Sequence, residues 1–184
     1  MGVNDRTNRS SPIQVGALTN WSSISIGAYS AVALKTDGTL WGWGLNTNGQ
    51  VGHSTRTNRS SPVQIGSETN WSKVATGYRK SFAITSGGEL YGWGENGSGQ
   101  LGLNDTVDRS SPVQVGALTN WSQSAGGNDH SNHTKTDGTL WSQGSNTFGQ
   151  LGDNSTVSKS SPIQVGAETN WSKVAGSSKS NHVL

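Results

Sequence analysis

The chain has no cysteine, which removes disulfide staples, thiolate metal sites and a thiol nucleophile together. Charged residues make up only 13%; 13 Lys and Arg against 11 Asp and Glu leave a formal net charge of +2, with no run of like charge. Such a balance writes no extended electrostatic footprint for nucleic acid or an acidic surface. No apolar stretch approaches the ~18 residues of a membrane-spanning helix, and no signal-type apolar segment follows Met1. Helical periodicity is missing as well, because glycines fall every few residues and the apolar runs are too short for a 3.6-residue stripe. What the chain does have is glycine (26 of 184 residues) and tryptophan (8). That is a glycine-rich β composition, with a few large rings offsetting a thin aliphatic content.

The order of these residues is strongly repetitive. SSPIQVGALTNW at Ser10 returns as SSPVQIGSETNW at Ser60, SSPVQVGALTNW at Ser110 and SSPIQVGAETNW at Ser160, a period of 50 residues. Trp21, Trp71, Trp121 and Trp171 share one phase. A period of this length marks a solenoid, propeller or array, and such architectures serve mostly as binding surfaces. The units run over about 1–50, 51–100, 101–150 and 151–184 as one repeat domain.

Within the second unit, 71–77 reads as a strand ending on glycine and 80–85 as a short apolar strand. Ser86-Gly87-Gly88 then stands where the neighbouring units have Asp37-Gly38 and Asp137-Gly138, a hairpin signal because such turns need positive φ. Residues 89–94 form a third strand, a polar glycine-rich loop follows, and 110–116 form a fourth that opens near Pro112. Four short antiparallel strands in ~50 residues describe a propeller blade. The expected fold is therefore all-β, a propeller of four-stranded antiparallel blades, with about 3.7 blades per chain and an incomplete terminal blade.

The stretch G-x-L-[WY]-x-W-G-x-N-x-x-G-Q-[LV]-G, within Gly27 to Gly52 and Gly77 to Gly102, resembles the regulator of chromosome condensation repeat. The similarity extends over essentially the whole chain. It implies a propeller, usually seven-bladed, in a family whose functions range over nucleotide exchange, chromatin binding, light perception and enzyme inhibition. None of those functions carries over residue by residue. Only Gly77-Tyr78-Arg79-Lys80-Ser81 comes near the tryptophan-bearing repeat of the plant photoreceptors, and it has tyrosine there.

Phase suggests that the ring is shared. Met1-Gly2 aligns with Val51-Gly52, and Leu184 falls partway through the second strand of its unit, which is close to half of a propeller of about seven or eight blades. We expect a homodimer of half-rings, against an excised or engineered fragment and a lone four-bladed ring.

Departures between units locate candidate sites. Val32-Ala33-Leu34 and Phe82-Ala83-Ile84 become Asn132-His133-Thr134; Trp43 and Trp93 become Gln143; Ile24 and Val74 become Ser124. Allowing a one-residue deletion near Gly176, Asn181-His182 matches Asn132-His133. Asn132, His133, Gln143, Asn181 and His182 are thus candidates for a polar pocket or interface, and His133 with His182 for a metal site. Two imidazoles fall short of the three or four ligands a zinc site takes. The plainer reading turns these positions toward solvent or the central channel, since a buried unpartnered cluster would be costly. Arg9, Arg59 and Arg109, with Lys159, Arg6 and Arg56, form a second candidate set for an acidic partner, but Asp5, Asp105 and Asp108 nearly cancel them. Nucleic acid is disfavoured on that ground.

No nucleophile elbow, phosphate loop with its lysine, or paired-carboxylate spacing occurs. The reading is a non-catalytic binding scaffold with no cofactor, whose partners are a second copy and another protein. A carbohydrate-binding propeller is the alternative, because tryptophan and asparagine contact sugars well.

Overall fold

A computed structural model of the chain describes all residues except Met1, Arg6, Leu18, 177–180 and Leu184, and of 181–183 it describes the backbone alone. Its strands are β1 Trp21–Ile26, β2 Ser30–Lys35, β3 Leu40–Gly44 and β4 Arg59–Gln64 in one sheet. The second sheet holds β5 Trp71–Thr76, β6 Lys80–Thr85, β7 Leu90–Gly94 and β8 Arg109–Gln114. The third holds β9 Trp121–Gly126, β10 His130–Lys135, β11 Leu140–Gly144 and β12 Lys159–Gln164. A two-stranded sheet of β13 Val174–Gly176 and β14 Asn181–Val183 begins a fourth. Every four-stranded sheet is an antiparallel meander in chain order. Three full blades and part of another are therefore present among the described residues, and no helix there is long and apolar enough to cross a membrane.

First strands touch from blade to blade (β1 with β5, β5 with β9, β9 with β13) and so line the axis. Second strands are buried along their full length, and fourth strands form the outer edge. The prolines do not open the fourth strands as expected. Pro62 and Pro112 are the fourth residues of β4 and β8, opposite the register shift between Gly42 and Gly44 or Gly92 and Gly94. A residue without an N–H fits an outer strand where pairing is already interrupted.

Adjacent blades bury one continuous layer each. Val32, Leu34, Leu40 and Ile65 of the first blade pack on Trp71, Ala83 and Trp93 of the second. Phe82, Ile84, Leu90, Leu101 and Val115 of the second pack on Trp121 and Trp141 of the third. Alternation along β2 and its equivalents thus sends even-numbered residues to the following blade and odd-numbered ones to the preceding blade. Backbone bonds latch the layers: Trp71, Trp121 and Trp171 donate their N–H groups to Gly38, Gly88 and Gly138 of the preceding hairpin. A Cβ on Gly38 would stand 1.9 Å from the Thr69 carbonyl oxygen, so the latch requires glycine there.

The asparagine and glutamine of the W-G-x-N-x-x-G-Q stretch are structural. Asn46 Oδ1 accepts from Val51 N at 2.8 Å while its Nδ2 donates to the carbonyls of Thr55 and Thr57. Gln50 Oε1 accepts from Asn48 N at 2.9 Å. Asn96, Gln100, Asn146 and Gln150 repeat the arrangement. These side chains satisfy backbone groups of a loop that would otherwise have no ladder.

Candidate binding surface

The unit-three substitutions are brought together, but inside the molecule. Asn132, His133 and Gln143 are at most 1% exposed, so they face neither solvent nor the axis. The reason is volume exchange between neighbours. Ala83 and Trp93 occupy one spot in the second blade; His133 and Gln143 occupy its equivalent in the third, one side chain growing where the other shrinks. The His133 ring meets Phe82 edge-on at 5.0 Å and Trp121 at 5.6 Å. Gln143 and His133 join through their Nε2 atoms at 2.6 Å, the unprotonated imidazole nitrogen accepting from the amide. Where Trp93 donates to the Gln50 carbonyl at 3.0 Å, Gln143 stands 3.5 Å from that of Gln100.

A second exchange faces the other way. A Cβ on Gly92 would lie 2.9 Å from the Phe82 ring, whereas the smaller Asn132 leaves room for Ser142, whose hydroxyl donates to the Leu151 carbonyl at 2.8 Å. Not every polar atom finds a partner: His133 Nδ1, Gln143 Oε1, Asn132 Nδ2 and Thr134 Oγ1 have none. Burial, with a contribution from the Lys80 charge, lowers the His133 pKa to about 3.

His182 lies opposite Ala175, as Asn132 lies opposite Ala125. The 50-residue phase therefore continues through 181–183, and His182 takes the register position of Asn132 instead of that of His133. The side chains of Asn181 and His182, and Arg6, lie outside the described residues. Among the described residues no three His, Asp or Glu side chains are grouped to hold a metal.

Each described cation of the second set has a partner, Arg56 reaching Asp108 in the loop before β8 at 3.7 Å. Arg9 pairs with Asp5, Arg109 with Asp105, and Lys159 with Asp153 at 3.7 Å. Arg59 Nε donates to His53 Nε2 at 2.8 Å, and burial followed by the Arg59 charge lowers the His53 pKa. Exposed pairs of this kind contribute little energy, but they leave little free positive charge on the outer rim.

A different cluster emerges at the axial end of the same face, from turns 27–29, 77–79 and 127–129. Tyr29 and Tyr78 meet edge-on at 5.8 Å, Arg79 lies 5.1 Å from the Tyr78 ring centre, and Tyr78 N donates to the Gly127 carbonyl. Hydrogen bonding to Tyr78 raises the Tyr29 phenol above its ordinary range. Glu95 N donates to the Arg79 carbonyl, which brings a carboxylate alongside. Burial, then the charges of Asp129 and Asp108, hold the Glu95 pKa up against Arg79 and Lys80. Beneath lies Lys80, fully buried, its Nζ donating to the carbonyls of Gly127 at 2.8 Å and Asn128 at 2.6 Å. Burial brings its pKa down to about 7 against the opposing pull of Asp129 and Glu95.

Sequence reasoning missed this cluster, although the signal was available. Positions 28–30, 78–80 and 128–130 read Ala-Tyr-Ser, Tyr-Arg-Lys and Asn-Asp-His, directly after the glycine that the units share at 27, 77 and 127.

Similarity to known proteins agrees with this architecture. The structure resembles that of Prp20p from Saccharomyces cerevisiae, with a TM-score of 0.78 at 21% identity over 88% of this chain and 43% of that one. Yeast RCC1 (Prp20) bound to Kap60 gives 0.75 at 23% identity over 86% and 40%. Human WBSCR16 gives 0.60 at 18% identity over 89% and 56%. At these identities the likeness is one of fold, and the chain spans less than two thirds of the length of each. No characterised protein matches significantly as a sequence. The regulator of chromosome condensation (RCC1) repeat, however, matches residues 37–84, 87–132 and 137–184, and a second description of the same repeat matches 21–50 and 71–100. Repeats covering most of the chain, in register with its own 50-residue period, place it in the regulator of chromosome condensation (RCC1) repeat family.

Proposed function

We propose that the chain is a non-catalytic protein-interaction module that binds a partner through the axial turns and completes its ring with a second copy. The binding role rests on one observation: turns 27–29, 77–79 and 127–129 differ from unit to unit and, with Glu95 of the loop after β7, bring two tyrosines, Arg79 and Asp129 together on one face. Rigid aromatic rings and an arginine beside carboxylates are favoured anchors for protein recognition. Prp20p binds Gsp1p and histones, and yeast RCC1 binds Kap60, which supports a protein as the partner class for a similar fold.

Peptides selected on the wild-type protein from a random library test this. They should lose at least tenfold in affinity for Tyr78→Ser and Arg79→Ser, and keep it for Arg109→Ser on the outer rim. Loss with Arg109→Ser alone would overturn the assignment.

Self-association is supported by the first blade. Ile24 and Ile26 are 55% and 68% exposed, and they stand where Val74 and Thr76 meet the preceding blade. The occupant that fits is a blade of the same repeat, supplied by a second copy.

A further inference from the structure

Blades one and three each close an aromatic site with their own lysine. Lys35 Nζ lies 3.6 Å from the ring centre of Trp41 and 5.3 Å from that of Trp21. Lys135 Nζ lies 3.5 Å from Trp141 and 4.9 Å from Trp121. An ammonium held between two rings is attracted by their negative faces, more so where water is excluded. The second blade keeps the ring pair, Trp71 and Tyr91 with centroids 5.0 Å apart at 82°, but Thr85 stands where the lysine would be.

Two further differences accompany that loss. Glu89 replaces the Thr39 and Thr139 of the other blades, and Glu68 replaces Leu118. The result is a groove of about 280 Å³ lined by Trp71, Tyr91, Thr85, Glu89, Glu68 and Asn70, at the end of the blade opposite the axial turns. Glu89 accepts a hydrogen bond from the Thr85 hydroxyl, and Glu68 accepts from Ser67 N at 3.1 Å. The site has thus lost its internal cation, kept its rings and gained two carboxylates.

We propose that this groove binds an alkylammonium group from outside the chain, with Trp71 and Tyr91 against its methylenes and π-facing side and Glu89 and Glu68 compensating its charge. The two neighbouring blades show the ligand chemistry in covalent form, because an aminobutyl chain lies on the equivalent rings in each. A lysine side chain of a peptide and a free small amine share this chemistry. A sugar would use the rings and carboxylates differently, and nothing in the neighbouring blades stands in for one.

Titration of the protein with Nα-acetyl-lysine amide and with n-butylammonium, followed by tryptophan fluorescence or amide NMR shifts, tests the proposal. Saturable binding in the millimolar range is expected, with the neutral isostere Nα-acetyl-norleucine amide at least tenfold weaker. Preference for the lysine derivative over butylammonium would indicate a peptide source, and the reverse a free amine; either outcome upholds the site. Glu89→Gln should weaken binding at least fivefold. Thr85→Lys, which rebuilds the arrangement of blades one and three, should abolish binding while leaving the melting temperature at or above that of wild type. The proposal fails if no amine binds saturably, if the neutral isostere or methyl glucoside binds as well, or if a folded Thr85→Lys variant binds undiminished.

Discussion

At the residue scale the informative positions are those where one unit stops copying another. His133 and Gln143 exchange volume with the Ala83 and Trp93 pattern, so neither substitution should be tolerated alone. His133→Ala leaves a cavity beside Phe82, and Gln143→Trp drives an indole into the imidazole; together they restore the pattern of the second blade. Chemical denaturation should show each single variant destabilised, and the double variant at least as stable as wild type, with a coupling energy of about 2 kcal/mol. Acid stability follows from the same histidine. Its folded pKa of about 3 lies below the ordinary 6.5, so the unfolded chain binds the extra proton between those values. Stability should therefore fall as pH drops through that window, by at most about 1.4 kcal/mol per pH unit from this group. His133→Ala should remove that component, seen as a flatter melting temperature between pH 6.5 and 4. The sequence exposed the substituted positions but could not show their direction. Solvent, channel and core are equally compatible with Asn-His-Thr on a strand until the partner residues across the blade interface are known.

At the element scale the blade was legible because its signals are local. Strand lengths, the Asp-Gly hairpins and the polar loop all follow from residues within a few positions of one another. What was not legible depends on contact between blades. Gly49 reads as a loop glycine, yet a Cβ there would lie 2.5 Å from the Arg109 carbonyl oxygen in the next blade, at a φ of +87°. Gly116 has a φ of +63° with nothing within 4 Å. Gly116→Ala should cost about 1 kcal/mol, the left-handed strain alone, and Gly49→Ala about 2 kcal/mol more, because backbone must also move. Thermal melts of the two variants check the difference; equal losses would mean that the interblade approach is not tight. The prolines teach the same lesson. A proline near a predicted strand start was placed inside the strand, because the bulged outer edge tolerates a missing donor.

At the scale of the whole molecule the 50-residue period gave the architecture, and the axial surface appeared only when the turns were assembled around one axis. Tyr29, Tyr78, Arg79 and Asp129 are 49 to 51 residues apart between neighbouring turns, so no local motif marks them as one surface. The two-chain ring proposed above would carry this surface around one shared axis and would cover Ile24 and Ile26, which the first blade leaves exposed. Light scattering on the eluting protein at micromolar concentration tests it most directly, with the Ile24→Asp, Ile26→Asp double variant alongside. A shared ring gives a mass twice 19.2 kDa for wild type and 19.2 kDa for the variant. A wild-type chain that remains at 19.2 kDa throughout that range would contradict it.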